Sequence, residues 1–371
     1  MNRCTAMSSR KFSMEGALHL ISGGPGVLSP ADLFHTIDDD KTRERFKGCN
    51  IYMVAIRRRM LIDPASVAIQ QGALIGNLMV ARDQWRPVPF RLALHDVLDH
   101  HPPGTLRAWA APTGTHLVLD VDGNRLQIRS HVIVAKAECQ LTPEERDLSV
   151  LYVGQGIGRT RSRLAIDRLY NHSTLQRILA DMHTHQPEAE VLLLLYRFGD
   201  SRVMISSAGD LNLIPSSTVE EDRSHLDRLL TAEVGRHARV CLAEAALINH
   251  FQPPYNTTFR GTDFTKARKL KLLREILNQD LTGLIVEIDS HTIRSRLRTE
   301  HCAPREPDPA LLEGYRRIAS IPGELQRQAH AELQQILHTH IAHFPLTQAE
   351  ERGSFLHGTC WHGESERQPL F

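Results

Sequence analysis

A glutamate inside an apolar helical stripe is the first feature of this 371-residue sequence that needs a chemical reason. Glu244 stands four residues after Val240 and four before Ile248, on a segment from Val234 to Phe251 whose apolar residues recur at helical spacing. Burying an unpartnered carboxylate is costly, so Glu244 must pair with a cation, accept fixed hydrogen bonds or ligate a metal. A structural salt bridge to an arginine of the 159–168 cluster accounts for its position as well as a metal does. The second feature is Leu151-Tyr152-Val153-Gly154-Gln155-Gly156-Ile157-Gly158, where a strand runs into glycines and then into Arg159, Arg161, Arg163 and Arg168. Such a turn can approach a phosphate closely. The spacing is G-x-G-x-G, and no strand ending in an acid follows at the distance a dinucleotide-binding unit requires, so a nucleic-acid backbone gripped by guanidinium groups is the better reading.

These segments together resemble the GIY-YIG nuclease superfamily over about residues 128 to 260. Leu151-Tyr152-Val153-Gly154 looks like the YIG half of its motif. Glu244-Ala245-Ala246-Leu247-Ile248, continuing to Pro254-Tyr255-Asn256, is similar to the superfamily's metal-binding glutamate helix and terminal asparagine. The spacing, 256 − 244 = 12, is that of its excision-repair incision nucleases. Arg168-Leu169-Tyr170-Asn171-His172, followed by Leu175-Gln176, resembles the helix that carries an arginine and, four residues later, a histidine or tyrosine. Arg163 lies nearer the family's usual distance from the second tyrosine, whereas Arg168 has the better local motif. The GIY half is not recognisable. The strand expected before Tyr152 reads Ser130-His131-Val132-Ile133-Val134-Ala135, without a tyrosine, and His131 is the group that would stand in for the missing hydroxyl.

The resemblance implies hydrolysis of phosphodiester bonds in DNA, with RNA left open. It implies one Mg²⁺ held by Glu244, with Mn²⁺ able to replace it. Arg168 or Arg163 would stabilise the pentacoordinate phosphorus, and Tyr152, His172 or His131 would take the proton of the attacking water. Asn256 would position the helix end or the scissile phosphate. Nucleic acid would be met by Gly154 and by Lys266, Arg268, Lys269, Lys271 and Arg274, five basic residues within nine positions of a helix from Phe264 to Gln279 whose Leu270, Leu273 and Leu277 face the core. Arg57-Arg58-Arg59 invites the same thought. A double-strand cut by a single-site enzyme requires two protomers or two sequential nicks, so a homodimer or larger complex is one expectation. Two other classes compete: a catalytically inactive nucleic-acid-binding protein on the same core, and a nucleotide-binding enzyme using the Gly154-to-Gly158 turn.

The elements that must position these residues give an α+β fold with a GIY-YIG-like core, a small mixed β-sheet flanked by helices. Expected divisions are a loosely ordered 1–48, an α+β domain at 49–127, the core at 128–260 and a mainly helical 261–371. Strands are expected at Ile51 to Ile56, Val132 to Ala137, Ser149 to Val153, Glu190 to Phe198 and Leu281 to Ile288. Arg202 to Ser206 would be the hairpin partner of Glu190 to Phe198. Thr115 to Val121 and Arg125 to Arg129 form a hairpin about Asp122-Gly123. Helices are expected at Ala65 to Ala81, Thr160 to Tyr170, from Asn171 or Ser173 onward, from the capping box Ser217-Thr218-Val219-Glu220 to Gln252, and over most of Ala310 to Phe344.

With 44 Lys+Arg against 43 Asp+Glu and 41% apolar residues, the chain reads as ordinary globular protein, and charge balance alone neither favours nor excludes nucleic acid. The longest apolar run, Val191 to Tyr196, is too short to span a bilayer, and the first fifteen residues lack the apolar centre of a signal peptide. Six scattered cysteines without a C-x-x-C pair suggest no disulfide framework, so no membrane is expected and the cytoplasm is the expected compartment. His183 and His185, and His338, His340 and His343, have ligand-like spacings, yet among 21 histidines such neighbours arise by chance and carry no zinc assignment.

Overall fold

The computed structural model describes residues 11–37, 39–98, 105–156, 164–206, 215–258, 260, 271–304, 306, 309–319 and 323–346. Along the chain the elements are β1 (Glu15–Ile21), β2 (Gly26–Leu28), α1 (Pro30–Ile37), α2 (Asp40–Arg45), β3 (Ile51–Arg58), β4 (Met60–Ile62), β5 (Ala68–Gln70), β6 (Ala73–Val80), β7 (Arg86–Ala93), β8 (Leu106–Ala110), β9 (His116–Val121) and β10 (Asn124–Arg129). There follow α3 (Ser130–Lys136), β11 (Glu138–Cys139), α4 (Pro143–Arg146), β12 (Leu148–Gln155), α5 (Ala165–Tyr170), α6 (Ser173–His185), β13 (Ala189–Tyr196) and β14 (Asp200–Ser206). The rest are α7 (Val219–Leu230), α8 (Arg236–Phe251), α9 (Lys271–Leu277), β15 (Leu281–Asp289), β16 (Leu297–Arg298), α10 (Pro309–Ala319), α11 (Glu324–His338) and β17 (Thr339–Pro345). This is a mixed α and β chain with several sheets. Among the described residues no helix is long and apolar enough to cross a membrane.

The sheet that matters for chemistry has the order β16-β12-β3-β13-β2. Its centre, β12, β3 and β13, is antiparallel throughout. β3 and β12 are neighbours although the whole segment 59–147 lies between them, so the sheet is not confined to 128–260: its central strand is Ile51–Arg58. The intervening segment builds a five-stranded and a three-stranded sheet around its own core of Leu74, Leu78, Phe90, Leu119 and Ile133. On one face of the site sheet, α1, α5 and α6 close a core with Leu33, Ile166, Leu169, Leu175 and Ile178. On the other, α8 lies between this sheet and a second one of order β14-β1-β15-β17. That sandwich explains why α8 is apolar almost all round, with Val240, Leu242, Ala246, Leu247 and Phe251 buried.

Several expected elements differ. Of the segment 1–48, expected to be loosely ordered, residues 1–10 and 38 lie outside the described residues, and the rest contains β1, which is buried and pairs with β14 and β15, partners far away in sequence. Ala65 to Ala81 is a hairpin, not a helix. Gln71 and Gly72 both take positive φ, 47° and 70°, which turns the chain, and Leu74, Leu78 and Val80 then share one strand face. Ser130–Lys136 is a helix, not a strand, because Ile133, Val134 and Ala137 bury one helical face in the inserted core. β14 pairs with β1, not with β13. The long helix expected to end at Gln252 is two, α7 and α8, and Thr339–Pro345 is a strand. The Asp122-Gly123 hairpin is present, with φ of 49° and 88° at the turn.

Candidate functional site

The strand beside Tyr152 carries a tyrosine of its own. In the β3–β12 register Tyr52 faces Gly154, so Tyr52 and Tyr152 lie diagonally on one sheet face, with ring centroids 6.2 Å apart. Gly154 makes this possible. A Cβ there would stand 2.6 Å from the Tyr52 hydroxyl oxygen and 2.8 Å from the Tyr152 ring, so the room that the glycine leaves is filled by tyrosine and not by an approaching phosphate. Gly154→Ala is therefore expected to cost about 1–3 kcal/mol and to displace both rings, read as a lowered melting temperature. Gly156 is similarly filled, since its Cβ would meet the Ala165 backbone at 2.5 Å. Gly158, the last residue of the glycine turn, lies outside the described residues.

His172 is the N-cap of α6, a role expected of Asn171 or Ser173. Its Nδ1 accepts the Leu175 N–H at 3.3 Å, while its Nε2 lies 3.5 Å from the Tyr152 oxygen. Burial, and then the charge of Arg168, hold its imidazole below the usual histidine range, so it is neutral at pH 7. With Nδ1 accepting, the single ring proton sits on Nε2 and points at Tyr152. His172 is thus a donor here, not a proton acceptor. Arg168, exposed on α5, reaches the same place: its guanidinium hydrogen-bonds the Tyr52 hydroxyl and acts electrostatically on Tyr152, His172 and Glu244. Tyr52 in turn hydrogen-bonds the Tyr152 oxygen. Burial and the Glu244 carboxylate push both phenols up, Tyr52 furthest. Tyr52 is 1% exposed, whereas Tyr152 reaches the surface.

Glu244 emerges from α8 at the end of β12. Its carboxyl is pushed up to about 7, chiefly by burial, and only partly held down by the Gln155 backbone N–H, by Arg168 and by the Gln155 side chain. A carboxylate so incompletely neutralised suits one divalent cation whose other ligands are waters and substrate oxygens. Gln155 also accepts from the Cys241 thiol at 3.5 Å, one turn earlier on α8. Asn256 is buried, and its amide clamps the backbone of Val153: Oδ1 accepts the Val153 N–H and Nδ2 donates to the Val153 carbonyl, both at 2.9 Å. It fixes the strand between Tyr152 and Gly154 and so positions the site from behind. Asn50 does comparable work at the other strand, bonding the Phe198 backbone with both amide atoms while its carbonyl accepts the Gly156 N–H.

The remaining expected residues fall elsewhere. His131 belongs to α3, and its charged neighbours are Arg57, Asp32 and Arg129, none of them a site residue. Its imidazole is driven to about 4, first by burial and then by Arg57, and it is Tyr52, not His131, that lies beside Tyr152 across the sheet. Arg57 is buried against Glu190 at 2.5 Å, and Arg58 and Arg59 bond the carbonyls of Ala81 and Ala189, so this run is structural. Arg163, Lys266, Arg268 and Lys269 lie outside the described residues. Lys271 and Arg274 are on α9, where Leu273 and Ile276 face inward and Leu277 is exposed, against the expectation for Leu277. Tyr52 and Gln155 were missed by sequence reasoning. Comparison with protein-family models, with curated proteins and with solved structures finds no match to this chain.

Proposed function

We propose that this protein is a divalent-metal-dependent endonuclease that hydrolyses phosphodiester bonds in DNA through a GIY-YIG-like site. The supporting observation is a convergence from five separate elements: Tyr52 of β3, Tyr152 of β12, Arg168 of α5, His172 at the start of α6 and Glu244 of α8. On this reading Asn50-Ile51-Tyr52 is the GIY half, parted from Tyr152-Val153-Gly154 by the 59–147 insertion, and His131 has no part in the reaction. Glu244 would hold Mg²⁺, or Mn²⁺ in its place, and such an ion when bound would neutralise charge on the phosphate and the leaving oxygen. Tyr152 takes the proton of the attacking water. Arg168 and Tyr52 offset part of the rise that burial and Glu244 impose on its phenol, and it is the more accessible of the two phenols. Arg168 meets the charge that develops on phosphorus oxygens. Arg274 on α9 would supply a further phosphate contact.

The test is cleavage of supercoiled plasmid and of short labelled duplexes with Mg²⁺, Mn²⁺ or EDTA. Cutting with either ion and none in EDTA is the expected result. Salt-sensitive binding without cutting on any substrate would favour the inactive binder instead. The pH profile carries more information. At limiting Mg²⁺ the rate should climb through about pH 7 as Glu244 loses its proton, and saturating Mg²⁺ should move that midpoint downward, because a cation favours the ionised carboxylate. A midpoint indifferent to Mg²⁺ concentration would separate the metal from Glu244.

A further inference from the structure

Behind α8, away from Glu244, three side chains from distant parts of the sequence meet. His250 is in the last turn of α8, Cys302 follows β16, and His340 is the second residue of β17. Cys302 Sγ lies 3.4 Å from His250 Nε2 and 3.7 Å from His340 Nδ1, and those two nitrogens are 3.5 Å apart. A tetrahedral ion with metal–sulfur bonds of about 2.3 Å and metal–nitrogen bonds of about 2.0–2.1 Å sets its ligands about 3.6 Å apart from sulfur to nitrogen and about 3.3 Å apart from nitrogen to nitrogen. The three observed edges match that triangle to within about 0.2 Å.

The surroundings favour the same arrangement. His340 Nε2 lies 2.9 Å from the Leu297 carbonyl, which fixes the ring proton there and leaves the Nδ1 lone pair facing the cluster, as a carbonyl behind an imidazole does when the ring ligates a metal. Cys302 sits in a turn pinned by Thr299, whose hydroxyl receives the Cys302 N–H and donates to the Phe251 carbonyl at the C-terminus of α8. Cys302 and His340 are buried, and His250 and Cys302 line a cavity of about 760 Å³ to which His301 also belongs. That cavity gives access, and water can complete four-coordination.

We infer that His250, Cys302 and His340 form a binding site for Zn²⁺ or a similarly thiophilic divalent ion. One thiolate and two imidazoles suit a borderline-soft cation and suit Mg²⁺ poorly, so this site differs in chemistry from the carboxylate at Glu244. His250 follows Glu244 by six residues, which turns the two about 120° apart around α8 and sets them about 9 Å apart along its axis. The ion would tie the helix that carries Glu244 to β16 and β17.

The test uses metal-stripped full-length protein titrated with Co²⁺, a coloured substitute for Zn²⁺. One equivalent should give the visible bands of tetrahedral cobalt together with a thiolate-to-cobalt charge-transfer band, and Zn²⁺ should bleach both. Cys302→Ser should lose the charge-transfer band, His340→Gln should bind at least tenfold more weakly, and Glu244→Gln should titrate like the wild type. Bound Zn²⁺ should also protect Cys302 of the unmutated chain from alkylation, read residue by residue by mass spectrometry, so the outcome does not depend on any variant folding. A wild-type titration without a thiolate band, or a Cys302 alkylated equally fast with and without Zn²⁺, overturns the site. Neither readout involves cleavage, so failure here leaves the nuclease reading untouched, and the reverse.

Discussion

Glu244→Gln is expected to lower Mg²⁺-dependent cleavage by about 10³-fold or more while leaving the protein at least as stable as before at neutral pH. The carboxyl is displaced from 4.5 to about 7, and burial is the largest cause. A folded-state value above the unfolded one means that the associated stability is fully present below about pH 4.5 and is lost as pH rises through about 7. The upper limit of that loss is roughly 3 kcal/mol, reduced by the solvent that reaches the carboxylate. Glutamine keeps the shape, still accepts the Gln155 N–H and carries no charge to desolvate. Thermal unfolding at about pH 5 and pH 8 should therefore show the wild type losing ground to the variant on the alkaline side. The opposite result, a variant distinctly less stable at pH 8, would mean that Arg168 neutralises the carboxylate as a structural ion pair, since breaking a buried pair is strongly destabilising. The two roles that were equally open for a glutamate in an apolar stripe are thus separated by the sign of one difference.

How much of this was legible depends on the distance over which each residue acts. Glu244 and Asn256 stand out because a charged residue in a helical stripe and an amide just past the helix end are local patterns, and α8 and its Pro253-Pro254 stop are read from adjacent residues. Tyr52 was hidden for the opposite reason. The strand Ile51 to Ile56 is plain in sequence, but its pairing with β12 spans the 59–147 insertion, and nothing local announces that two strands so far apart are neighbours. The segment just before Tyr152, where a local pattern points for the partner strand, is instead the helix that carries His131. β1 was lost in the same way, as its apolar run acquires meaning only between β14 and β15. The helix expected from Ala65 to Ala81 failed on period: short apolar runs fit both 3.6 and 2, and the Gln71-Gly72 turn decides between them. His340 was visible only as one of many histidines, because its partners His250 and Cys302 arrive from other elements.

Phenylalanine at Tyr152 and at Tyr52 should have different consequences, although the two rings stack side by side. Tyr152→Phe removes the oxygen proposed to take the proton, and a loss of about 10²–10⁴-fold in single-turnover rate is expected, with substrate affinity and melting temperature little changed. Tyr52→Phe removes a hydroxyl buried at 1% exposure that touches no substrate; it receives Arg168 and donates to Tyr152. Its loss should lower stability by about 1 kcal/mol and the rate by about tenfold, the rate effect passing through Tyr152. A donor to a phenolate lowers its pKa, so without Tyr52 the Tyr152 phenol should titrate higher and the upper limb of the pH–rate profile should move to higher pH. A purely structural role for Tyr52 would shift the melting temperature and leave that limb where it was. Equal losses with no movement of the limb in either variant would place the proton acceptor outside the tyrosine pair. His172 would not then replace it as the geometry stands, because its free nitrogen already carries the proton that points at Tyr152.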